Sequence, residues 1–139
     1  MRVFLDTNVL ASAFGTRGMC ADLLQVILAQ HELVTGEVVI EELCRVLIRK
    51  FDTRAVKVND VERFLRGFHV EPRPRQLPNL NLSERSDLIV VGSAINAKAE
   101  ILITGDREIL ILKTTPEGLR IVSPREFWNL TARITRRTR

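Results

Sequence analysis

The chain has 139 residues, 45% of them hydrophobic and 27% charged, with a formal net charge of +4. That length and apolar content suit one domain with a single core, and no apolar run approaches the roughly 20 residues that span a bilayer. A basic balance favours a polyanionic partner, while an opening apolar stretch broken as early as Asp6 argues against a signal peptide and for the cytoplasm.

Val3-Phe4-Leu5 reads as a buried strand stopping on Asp6. Val9 to Phe14 follows as a helix broken by Gly15 and Gly18. Cys20 to Gln30 is a second helix, with Leu23, Leu24, Ile27 and Leu28 on one stripe. Leu33-Val34-Thr35 is predicted as a short strand, Gly36 as a turn and Val38 to Lys50 as a long amphipathic helix. Asp60 to Phe68 carries Val61, Phe64, Leu65 and Phe68 at helical spacing, His69-Val70-Glu71 fits a short strand, and prolines at 72, 74 and 78 mark a surface loop. Asp87 to Ala99 is the next helix, then the strand Ile101-Leu102-Ile103 and a last strand over Leu119 to Val122. Ser123-Pro124-Arg125-Glu126 is a capping box with proline at the first helical position, opening a helix through Leu130. Alternating strands and helices predict an α/β fold with a parallel sheet covered on both faces. One domain is expected over 1–131. A basic tail over 132–139 is either a solvated terminus or an arm that touches phosphates.

His31, His69 and the isolated Cys20 and Cys44 are too few for a histidine-rich metal site, a zinc site, a catalytic triad or a disulfide framework, so chemistry must come from carboxylates. Asp6 and Asp106 each follow a strand, where a parallel sheet opens its ligand crevice, although an aspartate there is also a common helix N-cap. Glu42 falls among Val39, Leu43, Val46 and Leu47 on the inward stripe of its helix, whereas Glu41 is turned away by about 100°. A carboxylate so placed must be paired, with Arg45 or Arg49 for example, or protonated, or bound to a cation. Asp87 opens a helix and can face the same crevice or simply serve the helix dipole, and Glu84 competes with it. Were the four to meet within about 5 Å, each pair would repel by about 3 kcal/mol at an effective dielectric of 20. An all-oxygen site suits Mg²⁺ or Mn²⁺ and, with it, phosphodiester hydrolysis. Thr7, Asn8 and Thr104 are candidate supports for the carboxylates, or ordinary turn and cap residues. An aspartyl-nucleophile phosphatase would need a second aspartate where Asn8 stands.

The ordered set Leu5-Asp6-Thr7-Asn8, Glu41-Glu42-Leu43, Ser86-Asp87-Leu88, Ile103-Thr104-Gly105-Asp106 and Ile121-Val122-Ser123-Pro124-Arg125-Glu126-Phe127 resembles the PIN domain, in particular the prokaryotic members assigned as VapC-like toxins. The resemblance covers nearly the whole chain. It implies a three-layer α/β/α fold, dependence on Mg²⁺ or Mn²⁺, and ribonuclease activity on single strands. It carries the metal ligands onto Asp6, Glu42, Asp87 and Asp106, with Glu108 supplementing Asp106. It also implies a homodimer silenced by a small antitoxin. The alternative is a PIN-like module that is catalytically silent and only binds RNA or protein.

Overall fold

The computed structural model describes the backbone of residues 1–51 and 54–137, and the side chains of all of these except 55–56 and 132–137. Strands β1 (Arg2–Leu5), β2 (Glu32–Gly36), β3 (His69–Glu71), β4 (Ile101–Ile103) and β5 (Arg120–Val122) form one sheet in the order β3-β2-β1-β4-β5. Every neighbouring pair is parallel. The apolar runs account for this: Val3 to Leu5, Leu33 to Val34, Ile101 to Ile103 and Ile121 to Val122 are all buried, as strands covered on both faces require.

Helices α1 (Thr7–Gly15), α2 (Met19–Gln30), α3 (Glu37–Phe51), α4 (Ala55–Leu65), α5 (Arg85–Asn96), α6 (Arg107–Leu112) and α7 (Pro124–Arg137) fill the connections. The chain steps outward from β1 through β2 to β3, then returns to the other flank of β1 for β4 and β5. Right-handed crossovers therefore send the helices of the two halves to opposite faces, which makes the fold a three-layer α/β/α sandwich. Between β1 and β4 the direction of travel reverses, with Val3, Phe4 and Leu5 in register with Ile101, Leu102 and Ile103. The crevice beyond the carboxyl ends of those two strands is where sheets of this kind take ligands. Among the described residues no helix is long and apolar enough to cross a membrane.

Several expectations need correction. Gly36 is the last residue of β2 rather than a turn, paired with Glu71, and α3 starts directly after it. A side chain there would press on Ser93, whose Cβ would stand 3.3 Å from the added carbon, so glycine is present because α5 packs closely. Helix α4 ends at Leu65, leaving Phe68 outside it, because Gly67 and Phe68 donate to Phe64 and Leu65 and close the last turn tightly. Helix α5 begins at Arg85 and stops at Asn96; Lys98 then takes a left-handed φ of 58° and turns the chain into β4, a conformation that lysine does not advertise in sequence. Helix α6 went unanticipated, although Asp106 caps it by accepting from the amides of Glu108 and Ile109. The capping box of α7 forms as expected, with Ser123 and Glu126 exchanging amide and side-chain bonds of 3.1 Å. That helix continues to Arg137; the side chains of the expected basic tail, 132–139, lie outside the described residues.

Thr35 carries a buried hydroxyl with no hydrogen-bond partner among the described residues. Removing it at constant shape relieves a desolvation cost, so Thr35→Val should stabilise the protein by about 1 kcal/mol. Urea denaturation reads this directly, and a midpoint lower than wild type would contradict it.

Candidate active site

Asp6 is the residue after β1, and its backbone amide donates to the carbonyl of Ile103 at the end of β4 over 2.9 Å. The same residue is the N-cap of α1, its Oδ1 accepting from the Thr7 amide at 2.7 Å. Capping therefore does not remove this side chain from the carboxyl end of the sheet: one residue is both cap and strand-end acid. Its other oxygen, Oδ2, accepts from the hydroxyl of Thr104 at 2.7 Å.

Thr104, fully buried, follows β4, and its Oγ1 in turn accepts from the amide of Asp106 at 3.1 Å. One hydroxyl therefore fixes Asp6 and the start of the segment that bears Asp106. On the opposite flank, Thr7 is buried and its Oγ1 donates to Glu42 Oε2 over a long 3.4 Å. Glu42 lies half-buried at the margin of the α3 stripe, whose Val39, Leu43, Val46 and Leu47 are buried, while Glu41 is exposed. The two threonine hydroxyl bonds to carboxylates span 35 and 98 residues of the chain.

Asp87, in the first turn of α5, joins through electrostatics. Burial, followed by the charges of Asp106, Asp6, Glu84 and Glu108, pushes its carboxyl up to about 6 from the ordinary 3.8. Asp6 is raised as well, by burial above all, with Asp106 adding to it and the bonds from Thr104 and Thr7 opposing it. Asp6, Asp87 and Asp106 thus feel one another, whereas Glu42 reaches them through Thr7.

The supporting residues divide. The hydroxyls of Thr7 and Thr104 each donate to a carboxylate, of Glu42 and of Asp6. Asn8 is exposed, and among the described residues no hydrogen bond joins it to an acid. Asp106 uses Oδ1 to cap α6. Glu108 accepts from the amide and the hydroxyl of Ser83, the latter at 2.9 Å, which ties α6 to the segment leading into α5 and so brings Asp87 toward Asp106. Those two bonds hold the Glu108 carboxyl below its ordinary value. Sequence reasoning missed Ser83; a serine 25 residues from its partner carries no local signal. Glu84 is exposed and takes only a 3.5 Å contact from Ser86.

Among the described residues no three carboxylate, histidine or cysteine side chains close on a common point as a finished ligand sphere. The donor chemistry nonetheless fits a hard divalent cation. The donors are oxygens, two of the acids are held above their ordinary range by burial and mutual repulsion, and among the described residues neither has a basic group relieving it. Mg²⁺ in particular keeps several waters and needs only one or two direct carboxylates.

The Asp87 shift has a consequence for the metal-free protein. Its folded-state pKa lies above the unfolded value, so the stability it contributes is present below about 3.8 and is lost as pH rises through about 6. With the shift discounted for partial exposure, Asp87→Asn should stabilise the chelator-treated protein at pH 7.5 by about 1–2 kcal/mol. The difference should vanish near pH 4. Thermal melts across that range test it, and a gain independent of pH would contradict the assignment.

Residues 2–108 match the sequence profile of the PIN domain. No curated protein matches the chain in sequence. Among solved structures, VapBC2 from Rickettsia felis bound to a DNA fragment from their promoter superposes with a TM-score of 0.63 at 16% identity, over 88% of this chain and 98% of that one. VapC20 of Mycobacterium tuberculosis, a sarcin-ricin loop cleaving toxin, gives a TM-score of 0.61 at 15% identity, over 85% and 98%. DNA-bound VapBC from Salmonella typhimurium gives 0.61 at 15%, over 89% and 98%. At such identities the likeness is one of fold.

Proposed function

The chain belongs to the PIN domain family, and on that premise we propose that it is a divalent-metal-dependent ribonuclease acting on single-stranded RNA, the toxin of a toxin–antitoxin system. The observation that carries this reading is the pair of threonine bridges that meet at Asp6 at the switch point of the sheet, one through the Thr104 hydroxyl toward the Asp106 amide, the other through the Thr7 amide and on by its hydroxyl to Glu42. The fold likeness to VapC20, described as a toxin that cleaves the sarcin-ricin loop, supports an RNA substrate. The likeness to two VapBC structures supports an antitoxin partner. A homodimer and a cytoplasmic location complete the proposal.

In this reading Asp6, Glu42, Asp87 and Asp106 hold Mg²⁺ or Mn²⁺. When bound, the cation offsets charge growing on the phosphoryl oxygens and acidifies a water for attack. The chain itself supplies orientation. Thr104 and the Thr7 amide restrain both oxygens of Asp6, so this carboxylate is set before substrate arrives. The clasp between Ser83 and Glu108 holds α5 and α6 at a fixed separation, and with them Asp87 and Asp106. Burial of the Asp6 carboxyl limits water around it and strengthens its attraction for a cation.

Purified protein given Mn²⁺ and a labelled single-stranded RNA should produce cleavage that EDTA abolishes and fresh Mn²⁺ restores. Binding of the RNA without cleavage would leave the silent PIN-like module as the correct reading.

A further inference from the structure

A cleft of about 160 Å³ opens beside the acidic crevice, with Glu42 in its wall. It runs between the first half of α3 and the first turns of α5, and is lined also by Arg45, Arg73, Ser86 and Val90. Glu42 is therefore shared between the crevice and the cleft.

Both arginines are exposed, and among the described residues neither forms an ion pair. This is notable for Arg45, which stands one turn beyond Glu41 on the same helix and lines the same cleft without being bonded to it. Two guanidinium forks line one recess, neither donating a hydrogen bond among the described residues, and they match the oxygens of a phosphodiester, which arginine binds through paired bonds. Ser86 adds a hydroxyl in the first turn of α5, whose amide end also favours an anion.

The loop that carries Arg73 is held in place. Gly92 of α5 has no side chain, and an added Cβ would lie 3.1 Å from Pro78 and 3.5 Å from Pro74, so both prolines nest against the helix. Arg73 precedes Pro74, and its backbone is restricted for that reason too. The recess is well below the size that encloses a small-molecule ligand. It has room for a sugar–phosphate link with a base left outside.

We propose that this cleft seats a flanking phosphate of the RNA, gripped by Arg45 and Arg73, so that the scissile phosphate lies over Asp6; this rests on the ribonuclease reading above. Glu42 faces the strand from the crevice side and the exposed Glu41 opposes the grip, so the attraction in the cleft comes chiefly from the two arginines, with Ser86 adding a neutral hydroxyl.

The test compares wild type, the double variant Arg45→Ala with Arg73→Ala, and the double variant Arg45→Lys with Arg73→Lys, using Mn²⁺, a 12-nucleotide RNA and a dinucleotide. The alanine pair should raise KM for the long RNA about tenfold or more and leave kcat within about threefold. The slope of log affinity against log salt should fall by about 1.4, two phosphates at roughly 0.7 each for a single strand. The lysine pair should retain most of the slope and only part of the affinity, since it keeps charge and loses the fork. The dinucleotide should be cleaved alike by all three. A wild type that cleaves, with an unchanged KM and salt slope in the alanine pair, overturns the cleft alone. A wild type that fails to cleave either RNA overturns the ribonuclease reading and the cleft with it.

Discussion

Asp6→Asn is expected to lower RNA cleavage by about a thousandfold or more while the protein stays folded. The two halves of that outcome have one origin. Asparagine is as good an N-cap as aspartate, and its carbonyl oxygen can still accept from the Thr7 amide, so α1 should start where it does now. What disappears is the charge, together with the acceptor of the Thr104 hydroxyl, which can instead accept from the new amide group. In the metal-free fold that charge is a liability, since burial and Asp106 hold the Asp6 carboxyl above its ordinary value. By the sign of that shift, stability from Asp6 is present at low pH and is lost as pH rises through the folded pKa. The metal-free variant should therefore melt no lower than wild type at neutral pH, and Mn²⁺ should raise its melting temperature less than it raises that of wild type. Cleavage rates and melts with and without Mn²⁺ measure all of this. Activity within tenfold of wild type would show that the chemistry lies elsewhere.

Thr104→Val is the second large effect. Valine keeps the shape and removes the hydroxyl that donates to Asp6 Oδ2 and accepts from the Asp106 amide. Loss of a residue that orients metal ligands commonly costs about 10–100-fold in activity or metal affinity, and that range is expected here. The Asp106 amide also loses its partner at a fully buried neighbour, which should destabilise the fold by about 1–3 kcal/mol. Thr104→Ser separates the two roles from simple packing, because it restores the hydroxyl with one methyl fewer. Activity should return close to wild type in the serine variant while some stability remains lost. If the valine variant cleaves as well as wild type, the bridge orients nothing that matters.

Together these variants describe a site held from behind. The carboxylates repel, and hydroxyls and amides compensate: Thr104 and Thr7 at Asp6, Ser83 at Glu108, the first-turn amides of α6 at Asp106. Stability is given up locally and recovered in a core where Phe4, Leu5, Leu10, Leu43 and Leu102 are fully or almost fully buried. A bound cation would remove the local cost.

The unbroken apolar runs of the strands and their alternation with amphipathic helices make the parallel α/β architecture legible in the sequence, because burial on both faces leaves a one-dimensional trace. The capping box at Ser123 and the stripe of α3 were legible for the same reason: each is a pattern completed within a few residues. The ordered acids Asp6, Glu42, Asp87 and Asp106 could be named as candidates from position alone. Their relation could not. That one threonine hydroxyl serves both Asp6 and Asp106, that Glu42 is bonded to Thr7, that Glu108 reaches back to Ser83, and that Arg45 and Arg73 share a recess all depend on how strands distant in the chain lie side by side. Gly36 shows the difference in a single residue: as a letter it reads as a turn, and in the fold it is a strand end kept bare for Ser93. Local patterns follow from which face of each element shuns water, whereas the meeting of distant side chains follows from sheet order and register, which no short window of residues contains.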